Sequence, residues 1–402
     1  MRVQEIEVWL RLLSLPASGR RLARELLNAG DSAEACLERI CLGSPKGLDG
    51  ATRAIARRRP SMQAEVQDWL QAKSSRALIT FNDALYPPLL RETSDPPLAL
   101  WIEGQAEHLC LPQLAIVGSR NATPSGLELA RNFARSLASS GLCISSGMAL
   151  GIDAAAHQGA LSAKGVTSAV LGSGLARIYP HRHQDLAARI AEQGVLISEF
   201  PPFTPPRKEY FPMRNRIISG MSMGVLVVEA SLASGSLITA RLAADQGRLV
   251  FAIPGSPHNP MARGCHSLIR DGASLIDSAE QLLEDLTPIA RRMHYQLKLA
   301  LQPEPALSTR SVSSVASAVF KAMGHEPCSS DVISERTGLP CQTISDALLE
   351  LDLAGCLHTL PGSRYQGVAG VVVAAGSVLV AAEAGAVSAD GAAGAVPASS
   401  TG

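Results

Sequence analysis

An α/β fold built on a doubly wound parallel sheet is predicted by three features of the sequence. Short apolar runs recur at Ala115–Val117, Leu142–Ser145, Thr167–Leu171, Val195–Ser198, Val225–Val228, Leu249–Ile253 and Ser274–Ile276. Each is separated from the next by a helix-length segment, and strands that are apolar throughout belong to a parallel sheet covered by helices on both faces. Nearly every run also ends in small or polar residues, among them Gly118-Ser119-Arg120, Ser145-Ser146-Gly147, Gly172-Ser173-Gly174 and Pro254-Gly255-Ser256.

The stretch AIVGSRNATPSG, residues 115–126, reads as strand, glycine turn and helix start. Glycine tolerates close backbone approach, and the amides of such a turn and of the following helix point at whatever lies above the strand edge, which favours an anion. A single turn of this kind is ordinary connection geometry, whereas several on one sheet edge make a floor. Ser234-Gly235-Ser236, ahead of the helix through Thr239, adds a further phosphate-suited turn.

Basic residues fall in the same loops: Arg120, Arg177, Arg182, Arg207, Lys208, Arg214 and Arg216. Phe200, Phe203, Tyr210 and Phe211 are interleaved with the last four, in a chain only 4% aromatic. Guanidinium forks pair with phosphate and aromatic faces stack on unpaired bases, so this composition fits a single-stranded nucleic acid groove. From these runs the expected contact set is Gly118, Ser119, Arg120, Gly147, Gly172, Gly174, Lys208, Phe211, Arg214, Asn215, Arg216, Ser234, Gly235 and Ser236.

The remaining segments frame that core. Residues 1–75 are helix-patterned, with Trp9, Leu10, Leu12, Leu13, Leu22, Leu26, Leu27, Val66, Trp69 and Leu70 near helical spacing. Leu15–Leu27 carries part of a helix-hairpin-helix pattern without its second glycine, and is read as structural. Ala77–Phe81 and Leu98–Ile102 read as a connector entering the sheet, opening a domain over 76–290. A linker is expected over 291–311, then a winged helix-turn-helix over 312–366. Its would-be recognition helix carries Asp346, Glu350 and Asp352 with no lysine or arginine, the wrong sign for a DNA groove and better suited to packing or protein contact. The Ala/Gly-rich stretch 367–402 is expected to be disordered, its apolar run too short for a membrane span.

Composition restricts the function further. The chain has 402 residues, and 36 lysines and arginines balance 36 aspartates and glutamates, so polyanion binding must arise from local clustering. Eight cysteines occur singly, without metal-ligand spacing, and the start is unlike a signal peptide, so reduced thiols and a cytoplasmic location are expected. Asp153 and His157 at i and i+4 lack a third ligand, and Asp153 is read as a helix cap. No nucleophile with a plausible base is evident, and no cofactor or metal is expected.

AIVGSRNATPSG, SSGMALGIDAAAH, VLGSGLARIYP, ISEFPP, FPMRNRIISGMSMGVLVVEA, SGSLITARLAADQGRLVFAIPG and GCHSLIRDGA together resemble the bacterial DNA-processing protein A family, DprA, also called Smf. The resemblance is close over 114–276 and absent from the tail. It implies an extended Rossmann-like core that self-associates, binds single-stranded DNA during natural transformation and helps load RecA, with no enzymatic turnover. Arg120 stands at the family's DNA-contacting arginine. Some members place a lysine directly after the glycine that precedes the third strand, where this chain has Val166, with Lys164 two residues earlier. A dimer contact is expected around Leu268–Ile269 and Leu282–Leu283. The alternative is a nucleotide-binding enzyme of the phosphoribohydrolase-like class, but EASLASGSLITA lacks that class's catalytic glutamate.

Overall fold

Apolar residues at helical spacing form α1 (Val3–Leu13), α2 (Ala17–Asn28), α3 (Ala33–Leu42), α4 (Gly50–Arg57) and α5 (Gln63–Gln71). They bury Ile6, Trp9, Leu12, Leu26, Leu37, Ile40, Val66 and Trp69 in a shared core. The computed structural model describes residues 3–42, 50–58, 60–301, 313–324, 328–353, 356–360, 364–367, 371–374 and 377–380. The chain divides into two units, Met1–Leu301 and Gln302–Gly402, each described by itself. In the partial helix-hairpin-helix stretch, a Cβ on Gly19 would lie 3.0 Å from Thr52 Cγ2, so this turn is packed against α4.

The first unit continues through β1 (Arg76–Thr80), α6 (Pro88–Arg91), β2 (Ala99–Gly104), β3 (Gln113–Val117), α7 (Pro124–Ser139), β4 (Cys143–Ser146), α8 (Ile152–Ser162) and β5 (Thr167–Leu171). It is completed by α9 (Gln184–Gln193), β6 (Val195–Ser198), α10 (Tyr210–Met221), β7 (Gly224–Val227), α11 (Ser236–Asp245), β8 (Leu249–Ala252), α12 (Arg263–Arg270), β9 (Ser274–Leu275) and α13 (Ala279–Leu301). All nine strands form one sheet in the order β1-β2-β6-β5-β4-β3-β7-β8-β9. From β6 to β9 every pairing is parallel, as expected. The connector strands are full members of the sheet: β2 joins β6 antiparallel and β1 joins β2 antiparallel.

Strand alternation sends neighbouring side chains to opposite faces. Leu114, Ile116, Leu226, Val228 and Phe251 pack in one cluster with α7, α8 and α13, while Ala115, Val117, Val225, Val227 and Ala252 pack in the other. Each fully buried leucine or isoleucine side chain contributes roughly 1.5–3 kcal/mol relative to exposure. Leu268 and Leu282, expected at a dimer contact, are spent on these cores at 8% and 0% exposure, whereas Ile269 and Leu283 are half-buried.

The second unit contains α14 (Ser314–Met323), β10 (Cys328–Ser329), α15 (Ser330–Thr337), α16 (Cys341–Leu353), β11 (Leu357–Leu360) and β12 (Arg364–Gly367). Its three-stranded sheet has the order β10-β12-β11, and Val319, Met323, Ile333, Ile344, Leu348 and Leu351 form its core. Gly338 ends α15 in the left-handed region, φ 68°, and gives the turn into α16. This is the expected winged helix.

Two boundary expectations change. The segment placed in a linker is helical as far as Leu301, because α13 keeps its apolar periodicity beyond residue 290, and 302–312 lie outside the described residues. The tail expected to be disordered contains an antiparallel pair of β13 (Val371–Ala374) and β14 (Ser377–Val380), whose β-branched valines suit strands; 381–402 lie outside the described residues. Among the described residues no helix is long and apolar enough to cross a membrane.

Candidate nucleic-acid interface

Strand order reverses at β3, which has β4 on one side and β7 on the other. In an open α/β sheet the connections then leave to opposite faces and a crevice opens beyond the strand ends. It is present here as a crevice of about 610 Å³. The β3–α7 loop lines it with Gly118, Ser119, Arg120 and Asn121, and the β7–α11 loop with Ser231, Ser234, Gly235 and Ser236. From α10 come Phe211, Arg214 and Asn215, with Lys208 just before it and Tyr179 from the β5–α9 loop.

Close backbone packing sets the floor. A Cβ on Gly118 would lie 2.6 Å from Ile152 Cγ1 and 2.9 Å from the Glu229 carbonyl. Gly151 has φ +79°, and a Cβ there would meet Ser119 O at 2.2 Å. That tight passage lets Ile152 N donate to Ser119 O at 3.2 Å, tying the β3 and β4 loops together. Only glycine fits there without strain.

Charge and aromatic surface meet at Arg120. Its side chain is exposed, and its guanidinium carbon lies 5.7 Å from the Phe211 ring centre. Tyr179, 44% exposed, lies 5.7 Å from the same ring, centre to centre. Among the described residues no carboxylate pairs with Arg120 or Lys208, so both cations face the crevice uncompensated. The hydroxyls of Ser234 and Ser236 stand 2.7 Å apart at the start of α11.

Beneath this surface lies a buried support. Arg214 is 3% exposed, and its Nη1 donates to the Val170 carbonyl. Burial pushes its pKa down to about 10, against the opposing pull of Asp153. Asp153 is not the helix cap expected of it: Gly151 occupies the cap position, and Asp153 Oδ2 accepts from Gly147 N and Ala149 N at 3.2 Å each. Burial raises its pKa, with Arg214 opposing. His157 is wholly buried, its Nδ1 2.7 Å from Thr167 Oγ1, and burial pushes its pKa down to about 3. Among the described residues no group of three or more His, Cys, Asp or Glu could hold a metal.

Of the residues singled out in the sequence, Gly118, Ser119, Arg120, Lys208, Phe211, Arg214, Asn215, Ser234, Gly235 and Ser236 come together around the crevice. Four stand elsewhere. Gly147 packs on the Arg214 guanidinium, Gly172 supports the Phe211 ring with a Cβ position 3.0 Å from it, and Gly174 is wedged against the Pro201 and Pro202 carbonyls. Arg216 turns away to Glu199 (2.7 Å) and Asp95 (3.1 Å), and Asp95 also meets Arg24 of α2 at 2.7 Å. Phe200 and Tyr210 stack on each other at 4.1 Å. Tyr179, Asn121 and Thr239 also line the crevice, outside the expected contact set, and Tyr179 follows the Gly172–Gly174 turn closely enough to share its edge.

Fold and crevice define a Rossmann-type α/β protein with cationic, aromatic and hydroxyl groups gathered at its switch point, followed by a winged-helix unit. The family model for DNA recombination-mediator protein A matches residues 77–287, and that for the DprA winged helix domain matches 303–363. Protein Smf of Escherichia coli (strain K12) is 41% identical over 366 residues, 89% of this chain and 95% of that protein. DNA processing protein DprA of Bacillus subtilis (strain 168) is 44% identical over 209 residues, 52% of this chain and 70% of that protein. The X-ray structure of DNA processing protein A from Streptococcus pneumoniae aligns with TM-score 0.60 and 33% identity, over 71% of this chain and 98% of that one. The chain belongs to the DNA recombination-mediator protein A family, the DprA/Smf proteins.

Proposed function

We propose that this protein binds single-stranded DNA, without sequence specificity, in the crevice between the β3 and β7 loops. The observation that carries the reading is the unpaired Arg120 over Phe211, with Tyr179 beside the same ring. A guanidinium there meets a phosphate while the rings take unpaired bases, and neither contact reads base identity. The family membership supports a role in DNA processing during transformation and recombination. Delivery of the bound strand to RecA, in the cytoplasm and by a self-associated protein, belongs to the same proposal, as does binding without enzymatic turnover.

The test is fluorescence anisotropy with single-stranded and blunt duplex oligonucleotides of equal length over a salt series. Binding prefers the single strand, and log affinity falls with log salt by ~0.7 per phosphate neutralised. Equal affinity for duplex sinks the reading. Release of free base from nucleoside monophosphates would favour the enzyme class instead.

A further inference from the structure

The N-terminus of α7 stands beyond the end of β3, where proteins of this topology hold a ligand phosphate. In this chain a carboxylate already fills that position. Glu229, just past β7, is 7% exposed; its Oε2 accepts from Thr123 N at 2.9 Å and its Oε1 from Thr123 Oγ1 at 2.7 Å. Asn259 Nδ2 reaches Oε1 at 3.5 Å. Gly126, in the first turn of α7, lies so close that a Cβ there would be 2.4 Å from the carboxylate carbon. Among the described residues no lysine or arginine pairs with Glu229. Its charge is balanced by an amide, a hydroxyl and the positive end of the helix. The same residue's backbone oxygen accepts from Ser119 N at 2.7 Å. Glu229 therefore grips both ends of the short loop that carries Arg120.

We propose that Glu229 is a built-in anion, a positioning and specificity-determining residue for the crevice. It closes the α7 helix end to ligand phosphate and holds the Ser119–Thr123 loop so that Arg120 faces Phe211. Ligand phosphates are confined to the side bounded by Arg120, Lys208 and Ser234–Ser236. A strand that passes through the crevice meets that condition, while a dinucleotide whose pyrophosphate needs the helix end does not. The inference rests on the reading of the crevice as a phosphate site.

Chemical rescue tests it in the full-length protein. Glu229→Ala leaves a gap of acetate size lined by Thr123 N, Thr123 Oγ1 and Asn259. It is expected to lose about tenfold or more in affinity for a short oligothymidylate, the scale of losing a charged hydrogen-bond partner. Sodium acetate, against matched sodium chloride, restores part of that affinity and leaves the wild type unchanged. Inorganic pyrophosphate raises the melting temperature of Glu229→Ala more than that of the wild type. Glu229→Gln keeps an acceptor for Thr123 N and the volume that fills the helix end, and is expected to lose only a few-fold; Glu229→Ser, which shortens the side chain and opens the helix end, carries the pyrophosphate comparison if the alanine variant does not fold. A folded variant that binds DNA like the wild type, or one that neither acetate nor pyrophosphate affects, overturns the proposal. Failure of the wild type to bind single strands sinks the functional reading alone, because the pyrophosphate comparison still reports on Glu229.

Discussion

Arg214 and Arg216 are two residues apart on α10 and serve different structures: Arg214 donates to the Val170 carbonyl under the crevice, and Arg216 pairs with Glu199 at 2.7 Å on another side of the helix. Phe211, Arg214 and Asn215 are spaced i, i+3 and i+4 and share one face, which Arg216 does not. The proposed phosphate-holding role therefore concentrates on the exposed Arg120 and Lys208.

Arg120→Ala is expected to weaken single-strand binding by about 1.5–3 kcal/mol, the range for a charged hydrogen bond. Arg120→Lys loses less, since it keeps the charge without the planar fork. Phe211→Ala costs about 1–3 kcal/mol if one base stacks there. Anisotropy titration orders the three, and a larger loss from Gln342→Ala on α16 would place the site in the wrong unit.

Arg216→Ala acts on stability instead. It leaves Glu199, 8% exposed at its side chain, without its cation, and breaking a buried pair costs about 3–5 kcal/mol. Asp95, 58% exposed, contributes far less through its own pairing. Urea denaturation should show a large fall for Arg216→Ala and a change within about 0.5 kcal/mol for the exposed Arg120→Ala.

Gly151→Ala tests the floor. With φ at +79° and Ser119 O 2.2 Å from the new methyl, the β3 loop must shift. Strain of this kind costs about 1–3 kcal/mol. Loss of both stability and oligonucleotide affinity is expected, and unchanged affinity would separate the Ser119 loop from the ligand.

His157 gives the fold a defined acid sensitivity. Its pKa falls from the ordinary 6.5 to about 3 in the folded protein. Between those values the unfolded chain binds the extra proton, so this contribution is complete above pH 6.5 and is lost as pH falls towards 3. The slope is about 1.4 kcal/mol per pH unit. Asp153 opposes it, because a raised folded-state pKa favours folding at low pH. Subtracting the pH–stability profile of His157→Gln from that of the wild type isolates the histidine; a flat difference over this window contradicts its neutral burial.

Much of this architecture is legible in the sequence alone. Apolar runs between helices specify a parallel sheet, and small residues after each run mark the edge where a ligand lies, because both properties are local. That reasoning brings Gly118–Arg120 together with Ser234–Ser236 across more than a hundred residues. It also carries Arg120, whose exposure follows from its place in a turn.

Tertiary structure decided which polar groups stay free for a ligand. Arg216 meets Glu199 and Asp95, and α7 meets Glu229 from 106 residues away. Nothing local distinguishes Glu229 from a solvated carboxylate, and only the approach of Thr123 and Gly126 makes it the partner of a helix end. Periodicity records which face a residue takes, while the long-range pairing of buried charges is set by where the folded chain leaves no room for water.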